Sequence, residues 1–437
     1  MPLLLFPSPE TTPVLLVVPV LWLLSWTVNR AFVIQTPLNG VILLMAVMVL
    51  VSTWATYDLT ISLPKISGMV LGFGVYFAFA RQGQRFGGWW ASLTVFMLAG
   101  LGAALLGLLG SQWTISKFSI LNPITEQLPE AGVSLQGAEA GIHPNEVSGT
   151  LTWVLPMFIA LSVASLYRLC PFRAQDAGRS AGKRWDLWGR WVLMIFLWLS
   201  TLFVFGVFVI TQSRSGYIGL LVTGFAGLIV LLPSRGRRVV LCSLVLVSFF
   251  VGLYIHQVGW DAVQRWYLSH RLVVGRGLSL RSFEGRIEIW SRAIFGLQDF
   301  AFTGMGMNTF RYVVNVLYPL FYTSSGDLGH AHNEFLQVGL DLGIPGLIAF
   351  LALYIGSFWM LSRVWQWATN LEECACFSLG RSTKVVILGL GGGLLAHLAF
   401  GMTDAVALGA KPGFLFWMLL GLISSLYAQS VEAIRQR

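Results

Sequence analysis

Two histidines, His330 and His332, stand where a long polar stretch of the chain gives way to an apolar one. Imidazole is the side chain that most readily exchanges a proton near neutral pH. A base in this position would lie at the boundary between a loop and the apolar segment that follows it. The sequence therefore predicts a proton-transfer site, with His332 as the base and His330 as the competing candidate.

The residues after His332 have the pattern of a short amphipathic helix. We predict this helix from about His332 to Leu342, because Gly343 and Pro345 then interrupt it. A histidine in the first helical turn lies at the positive end of the helix dipole, which favours the neutral imidazole that can act as a base. A purely structural interfacial histidine is the alternative.

Arginines are concentrated in the long stretch from about 256 to 342, which contains no lysine. The guanidinium group presents a planar fork of donors that matches phosphate oxygens. We therefore predict phosphate contact, and the alternative is a solvated loop or attraction to anionic lipid head groups. The arginines concerned are Arg265, Arg271, Arg276, Arg281, Arg286, Arg292 and Arg311.

Arg214 occupies a very short turn, Gln212–Tyr217, between two apolar segments. A charge at such a place is costly unless it is paired or faces water. We predict a fixed cation that faces an anionic substrate from the membrane side. An arginine that only reaches the lipid head groups is the alternative.

Several other chemistries lack the residues that they need. No Asp-x-Asp sequence and no Walker loop occur in the chain. The Gly-x-Ser-x-Gly match at Gly178–Gly182 lies in a basic loop with no strand before it, so it does not have the setting of a nucleophile elbow. His330 and His332 could share a metal ion, but the sequence offers no third ligand beside them. We predict neither a metal nor a cofactor.

The chain that must position these residues has the composition of a membrane protein. Of its 437 residues, 56% are hydrophobic and 11% are charged, whereas soluble proteins carry about 25% charged residues. The apolar residues form blocks of roughly 17–25, the length that crosses a bilayer as a helix. The net charge of +9 does not indicate nucleic-acid binding, because no soluble domain could carry a basic face.

We predict an all-α, polytopic membrane helical bundle with about eleven spans, within a range of ten to twelve. The predicted spans lie near residues 13–28, 38–55, 64–81, 88–110, 149–167, 191–211, 216–233, 239–255, 343–363, 385–403 and 412–428.

Basic residues in the short loops predict the orientation, because lysine and arginine favour the cytoplasmic side. These residues include Arg81, Arg184, Arg237 and Lys384. The other loops then face outward, and two of them are long, near 111–148 and 256–342. The chain accordingly divides into helices over 1–255, a large outer loop with helices of its own over 256–342, and further spans over 343–437.

Four short motifs follow one another in the second half of the chain. They are Ser213–Gly216, Gly285–Trp290, Gly304–Phe310, and the pair His332–Asn333 followed after nine residues by Gly343 and Gly346. Together, in this order, they resemble the bacterial O-antigen ligase and polymerase superfamily. The resemblance covers about residues 211–350, and His143-Pro-Asn145 in the first long loop is a weaker echo.

The resemblance implies an all-α, multi-pass bundle of the bacterial inner membrane. It also implies a metal-independent glycosyltransferase that acts on the periplasmic side and inverts the anomeric carbon. Its donor would be an undecaprenyl-pyrophosphate-linked glycan, and its acceptor lipid A–core or a growing polysaccharide. The functional histidine of the superfamily corresponds to His332, and its two important arginines correspond to Arg214 and Arg286. The further candidates for substrate binding are Arg265, Arg292, Arg311, His330, Asn333, His143 and Asn145.

Ligation of O-antigen to lipid A–core is the function that we favour at this point. A polymerase of O-antigen or exopolysaccharide would use the same donor, and a protein O-oligosaccharyltransferase is a further possibility within the same chemistry. A lipid or sugar transporter without chemistry is an alternative of another class. It would need ionisable residues or broken helices at mid-membrane, for which His397 and Gly391–Gly393 are the nearest candidates.

Overall fold

The computed structural model describes residues 17–29, 33–85, 87–111, 113, 121–128, 141–169, 183–259, 278–321, 328–373, 377–406 and 408–436. Within these ranges the chain is helical and contains no β-strand, which confirms the predicted all-α fold. The Gly178–Gly182 motif lies outside the described residues.

The helices are numbered here in chain order. They are α1 (Val17–Asn29), α2 (Asn39–Ala55), α3 (Leu59–Gly83), α4 (Gly88–Gly110), α5 (Asn122–Thr125), α6 (Pro144–Leu169), α7 (Lys183–Ile210), α8 (Arg214–Leu231), α9 (Ser234–Val258), α10 (Leu278–Asp299), α11 (Phe310–Leu317), α12 (Glu334–Glu373), α13 (Phe377–Gly401) and α14 (Phe414–Arg435).

Nine of the described helices are long and apolar enough to cross a membrane. They are α3, α4, α6 to α9, and α12 to α14. The other two predicted spans correspond to the shorter helices α1, of 13 residues, and α2, of 17 residues. Each of the eleven predicted apolar blocks therefore coincides with one helix of the structure.

The interior of the bundle is formed around α13, which packs against α6, α8 and α12, while α14 packs against α3. Glycines allow neighbouring helices to approach one another most closely. A Cβ on Gly393 would lie 2.3 Å from the carbonyl oxygen of Trp153, and a Cβ on Gly219 would lie 2.4 Å from that of Ala396. By contrast, α9 has no buried residue, so its apolar surface is left for lipid.

Helix α12 has a kink at Gly343, whose φ is 70°. Glycine accepts this left-handed conformation without the steric cost of a Cβ, and Pro345 follows it. The kink separates a first segment that ends at Leu342 from a second, membrane-length segment. The predicted helix end before Gly343 is thus confirmed.

Helix α10 packs on α11 and on the first segment of α12. Its buried residues Ile289 and Ala293 form a small core with Phe310 and Leu340. Part of the apolar surface of α10 is therefore turned toward protein, while Ile294 and Phe295 are exposed.

Candidate active site

Asp404 is the centre of the candidate site. It follows the end of α13, and its side chain is 1% exposed. Its Oδ1 atom accepts the backbone N–H of Ala405 at 3.0 Å and lies 3.2 Å from Nδ1 of His332. Its Oδ2 atom accepts Nδ2 of Asn145 at 2.7 Å and lies 3.5 Å from Nη2 of Arg286. One buried carboxylate therefore joins α6, α10 and the segment before α12.

His332 lies in a tight turn before α12 and not in its first turn. Its φ is 48°, a left-handed conformation that is uncommon outside glycine. The helix begins at Glu334, and Asn333 caps it, because Oδ1 of Asn333 accepts the N–H of Leu336 at 3.0 Å. The predicted helix start was wrong by two residues, and the turn rather than the helix orients the imidazole.

Two hydrogen bonds hold this turn. The N–H of His332 donates to Nδ1 of His330 at 3.1 Å, and Nε1 of Trp290 donates to the carbonyl oxygen of His332 at 3.1 Å. Trp290 and Arg286 are four residues apart on α10 and so project from the same face. One face of α10 thus contacts both the backbone of His332 and the carboxylate of Asp404.

His330 is held as a neutral ring. Its Nδ1 atom accepts the N–H of His332, so the ring proton lies on Nε2, which is 3.7 Å from Oδ1 of Asp404. Burial lowers the pKa of His330 to about 3, although the charge of Asp404 opposes this shift. His330 therefore serves as a hydrogen-bond acceptor that supports the turn.

Asp404 is held as an anion. Burial on its own would raise the pKa of this carboxyl group. The hydrogen bond from His332, together with the electrostatic contributions of His330, His332 and Arg286, outweighs burial and keeps the pKa of Asp404 below its usual range. A carboxylate can only accept, so Nδ1 of His332 carries the proton and Nε2 is the basic nitrogen.

Two contacts hold the segment that contains Asp404 against the start of α12. Nδ2 of Asn333 donates to the carbonyl oxygen of Met402 at 2.9 Å, and the N–H of Val406 donates to Oε2 of Glu334 at 2.7 Å. Because Met402 and Val406 flank Asp404, these contacts fix the carboxylate in place. The predicted contact of Asn333 with substrate stays a prediction.

Behind Glu334 lies a buried histidine, His397. Its Nε2 atom is 3.8 Å from Oε2 of Glu334, and its Nδ1 atom is 3.1 Å from both Thr152 Oγ1 and the carbonyl oxygen of Gly149. Its ring stacks on Trp153 with 4.1 Å between centroids. These contacts connect α6, α12 and α13 directly beneath the site.

The transporter alternative would place a broken helix at Gly391–Gly393. Helix α13 runs without interruption through these residues. They allow close packing on α6, as the approach of Gly393 to Trp153 shows. The structure therefore gives these glycines a packing role.

Arg214 begins α8, and its side chain is exposed. The next residue, Ser215, is buried and its Oγ accepts Thr403 Oγ1 at 2.9 Å, which attaches the start of α8 to the residue before the central carboxylate. A Cβ on Gly216 would lie 2.0 Å from Oγ of Ser148. Glycine is therefore required where α8 approaches α6. Because Ser215 contacts Thr403, Arg214 lies at the same end of the bundle as the site.

The weakest of the predicted motifs, His143-Pro-Asn145, supplies a direct partner of Asp404. Asn145 is buried at the start of α6. Nδ1 of His143 accepts the N–H of Asn145 at 3.1 Å, and the side chain of His143 is exposed. The amide of Asn145 thus belongs to the site, and His143 shapes the turn before it.

The remaining arginine candidates have different surroundings. Nε of Arg292 donates to the carbonyl oxygen of Pro319 at 3.0 Å, and its guanidinium lies 5.7 Å from the ring centre of Phe321. Arg311 interacts electrostatically with Glu146 on α6. Arg265 lies outside the described residues. The contact of each with substrate stays a prediction.

The sequence showed no third metal-binding residue beside His330 and His332, but the structure places the carboxylate of Asp404 there. Ligand atoms of His330, His332 and Asp404 all lie within 4.8 Å of one another. A neutral imidazole that binds a metal through one nitrogen normally donates a hydrogen bond from the other. Nδ1 of His330 instead accepts one from His332, so this donor set does not suit a metal ion without a change of the turn.

Asp404 and Glu334 are the site residues that the sequence reasoning missed. One signal could have indicated Asp404. The chain has only 19 acidic residues among 437, and Asp404 ends an apolar span, where an ionisable residue is functional by default. Glu334 stood beside the His332–Asn333 motif, but nothing in the sequence connected it to Val406.

Residues 199–351 match the family model described as O-antigen ligase. The matched segment includes Arg214, Arg286 and His332 and ends before Asp404. No curated protein matches the chain. The match supports the predicted resemblance over this segment and, with the membrane helices, suggests a multi-pass inner-membrane glycosyltransferase of the ligase or polymerase type.

Proposed function

Residues 199–351 match the O-antigen ligase family model, and on that premise we propose that the chain transfers a glycan from undecaprenyl pyrophosphate to lipid A–core. The observation that carries the proposal is the convergence on Asp404. The carboxylate contacts His332 and Arg286, both from the matched segment, and Asn145 from outside it.

His332 is the proposed base. Its Nδ1–H donates to Asp404, so Nε2 can accept the proton of the acceptor hydroxyl as the oxygen attacks the anomeric carbon. The imidazolium that forms is stabilised by the adjacent carboxylate, as in other histidine–carboxylate pairs. The side chain of His332 is 28% exposed, which leaves it accessible to an acceptor.

The two arginines are proposed to bind the pyrophosphate. The bond between the anomeric carbon and the phosphate oxygen breaks, and undecaprenyl pyrophosphate leaves with an additional negative charge. Arg286 has five N–H donors, of which Nη2 faces Asp404, so the others can contact the leaving group. Arg214 provides a second cation at the same end of the bundle. Cations placed where charge develops lower the barrier of such a step.

We propose that this end of the bundle faces the periplasm. The candidate site lies at the start of α12 and at the end of α13. Arg81 in the last turn of α3 and Arg435 in the last turn of α14 lie at the opposite end. An excess of basic residues there supports a cytoplasmic position for that end.

The proposal is tested with the purified protein in lipid vesicles, an undecaprenyl-pyrophosphate oligosaccharide and a chelator. Lipid A–core is present in one arm and absent from the other, and products are read by mass spectrometry. We expect glycan on lipid A–core, in the presence of the chelator. Longer lipid-linked chains in the arm without lipid A–core would instead establish a polymerase.

The control variant is His256→Ala, because His256 is an exposed histidine of α9, a helix without buried residues. It should transfer glycan like the unmodified chain. Folded protein that yields neither product with several donor glycans would contradict the proposal.

A further inference from the structure

The segment Gly304–Phe310 forms a tight turn between α3 and the first segment of α12. Three alternate residues of the turn have positive φ, a conformation that glycine and asparagine tolerate best; they are Gly304, Gly306 and Asn308. Nδ2 of Asn308 donates to the carbonyl oxygen of Ile61 at 3.1 Å, and its N–H donates to Oδ1 of Asp341 at 3.1 Å. The turn therefore holds the carboxylate of Asp341 in a fixed place.

Asp341 is a buried acid near the end of the first segment of α12. Its side chain is 2% exposed, and its Oδ2 atom lies 3.9 Å from Nζ of Lys65 on α3. Its Oδ1 atom accepts Nε2 of Gln337, which lies one helical turn earlier, at 2.9 Å. The charge of Asp341 is thus paired with a lysine, while its other oxygen holds the amide of Gln337.

Gln337 provides a further hydrogen bond to the turn that contains His332. A carboxylate oxygen can only accept, so Nε2 of Gln337 faces Asp341 and Oε1 faces the other way. There Oε1 accepts the N–H of Ala331, the residue before His332, at 2.9 Å. Gln337 and Ala331 are both buried, so solvent does not compete for this contact. The two ends of one amide therefore connect Asp341 to the backbone beside the proposed base.

We propose that Gln337 is a positioning residue for His332. A continuous path of hydrogen bonds leads from Asn308 through Asp341 and Gln337 to Ala331. The path fixes the turn and, through it, the direction of the imidazole. Its role in transfer rests on the proposed function, in which Nε2 of His332 must face the acceptor hydroxyl. A displacement of about 1 Å at a reacting group can cost roughly 10²-fold in rate.

The first test is Gln337→Met, which keeps the length of the side chain and removes both of its polar ends. It should lower kcat by roughly 10- to 100-fold. The KM for the donor should stay within about twofold, because the arginines proposed to bind the pyrophosphate are unchanged. A loss of folded protein would instead lower the yield and not divide kcat from KM in this way.

Gln429→Met is the matched control. Gln429 lies on α14 at the opposite end of the bundle, where its Nε2 donates to the carbonyl oxygen of Gly83. This variant also loses a hydrogen bond from a glutamine to the backbone, but it should keep the kcat of the unmodified chain. Equal kcat in Gln337→Met and Gln429→Met would overturn the proposal.

An exchange of the acid and the amide tests the pairing itself. Gln337→Glu places a second carboxylate against Asp341 and removes the donor between them, so its kcat should be no higher than that of Gln337→Met. Adding Asp341→Asn restores one amide and one carboxylate in exchanged positions. The double variant should recover kcat about tenfold over Gln337→Glu, as expected for one hydrogen bond to a charged group. A double variant no faster than Gln337→Glu would overturn the pairing.

Hydrogen exchange of residues 328–336, measured by mass spectrometry on the full-length protein, tests the contact without a transfer assay. In Gln337→Met the N–H of Ala331 loses its acceptor, so this segment should exchange faster by roughly fivefold. Gln429→Met should leave it unchanged. Unchanged exchange in Gln337→Met would overturn the proposal, whereas failure of the unmodified chain to transfer glycan would contradict the proposed function alone.

Discussion

Nδ1 of His332 lies 3.2 Å from Oδ1 of Asp404, although the two residues are 72 positions apart in the chain. Helices α12 and α13 lie between the two residues in the chain. His332 comes just before α12 begins, and Asp404 comes just after α13 ends. The packing of α13 on α12 therefore determines the geometry of the proposed base.

Arg286→Lys should lower kcat/KM by roughly 10- to 100-fold. The guanidinium contacts Asp404 through Nη2 and has other donors for the pyrophosphate, whereas an ammonium group is a single point charge. The loss corresponds to about 1.5–3 kcal/mol, the contribution of a charged hydrogen bond. The measurement is initial-rate transfer at several donor concentrations.

Arg190→Lys is the matched control for Arg286→Lys. Arg190 is an exposed arginine near the start of α7, about 30 Å along that helix from the end that leads to Arg214. Its replacement should leave kcat/KM within about threefold of the unmodified value, since it is far from Asp404. Equal losses in both variants would remove the special role of Arg286.

Glu334→Ala should reduce kcat, and Glu334→Gln should restore most of it. Alanine leaves the N–H of Val406 without its acceptor, whereas glutamine retains an acceptor oxygen. A buried donor without a partner costs about 1–3 kcal/mol and frees the segment that holds Asp404. The measurement is kcat and KM together with the melting temperature in detergent.

Glu432→Ala controls for the removal of an acidic residue, because Glu432 is exposed near the end of α14. It should have normal kcat. If Glu334→Gln were as impaired as Glu334→Ala, the charge of Glu334 rather than its acceptor oxygen would be required, and the positioning argument would fail.

The free energy of unfolding should decrease as the pH falls from 7 to 5, because the pKa of His330 is low in the folded protein. Its folded pKa is about 3, below the ordinary value of about 6.5. Between these values the unfolded chain binds a proton that the folded chain does not, so stability rises with pH, by up to about 2 kcal/mol from pH 5 to 6.5. The groups that act on His330 are Asp404, His332, Lys65 and His143.

The measurement for His330 is the melting temperature in detergent between pH 5 and 7. His330→Asn should flatten this dependence, and His256→Asn should not. The depressed pKa of Asp404 contributes stability that is lost only at lower pH, below its ordinary value of about 3.9. An unchanged slope in His330→Asn would show that another group titrates in this range.

The spans could be predicted from the sequence because hydropathy depends on local composition alone. Arg214 and His332 were found through local motifs, and Asn145 through a weak one. Asp404 could not be predicted as the partner of His332, because their contact depends on how α13 packs against α12. The turn at His332 was missed for a related reason, since its left-handed backbone is fixed by contacts with His330 and Trp290.

The most direct test of the central claim is a double-mutant cycle of His332→Ala and Asp404→Asn, read as kcat in vesicles with a saturating donor. Each single variant should lose roughly 10²–10⁴-fold. Residues that act as a unit are not additive, so the double variant should be no slower than the slower single one. Losses that multiply, or near-normal turnover of properly folded His332→Ala, would contradict the account.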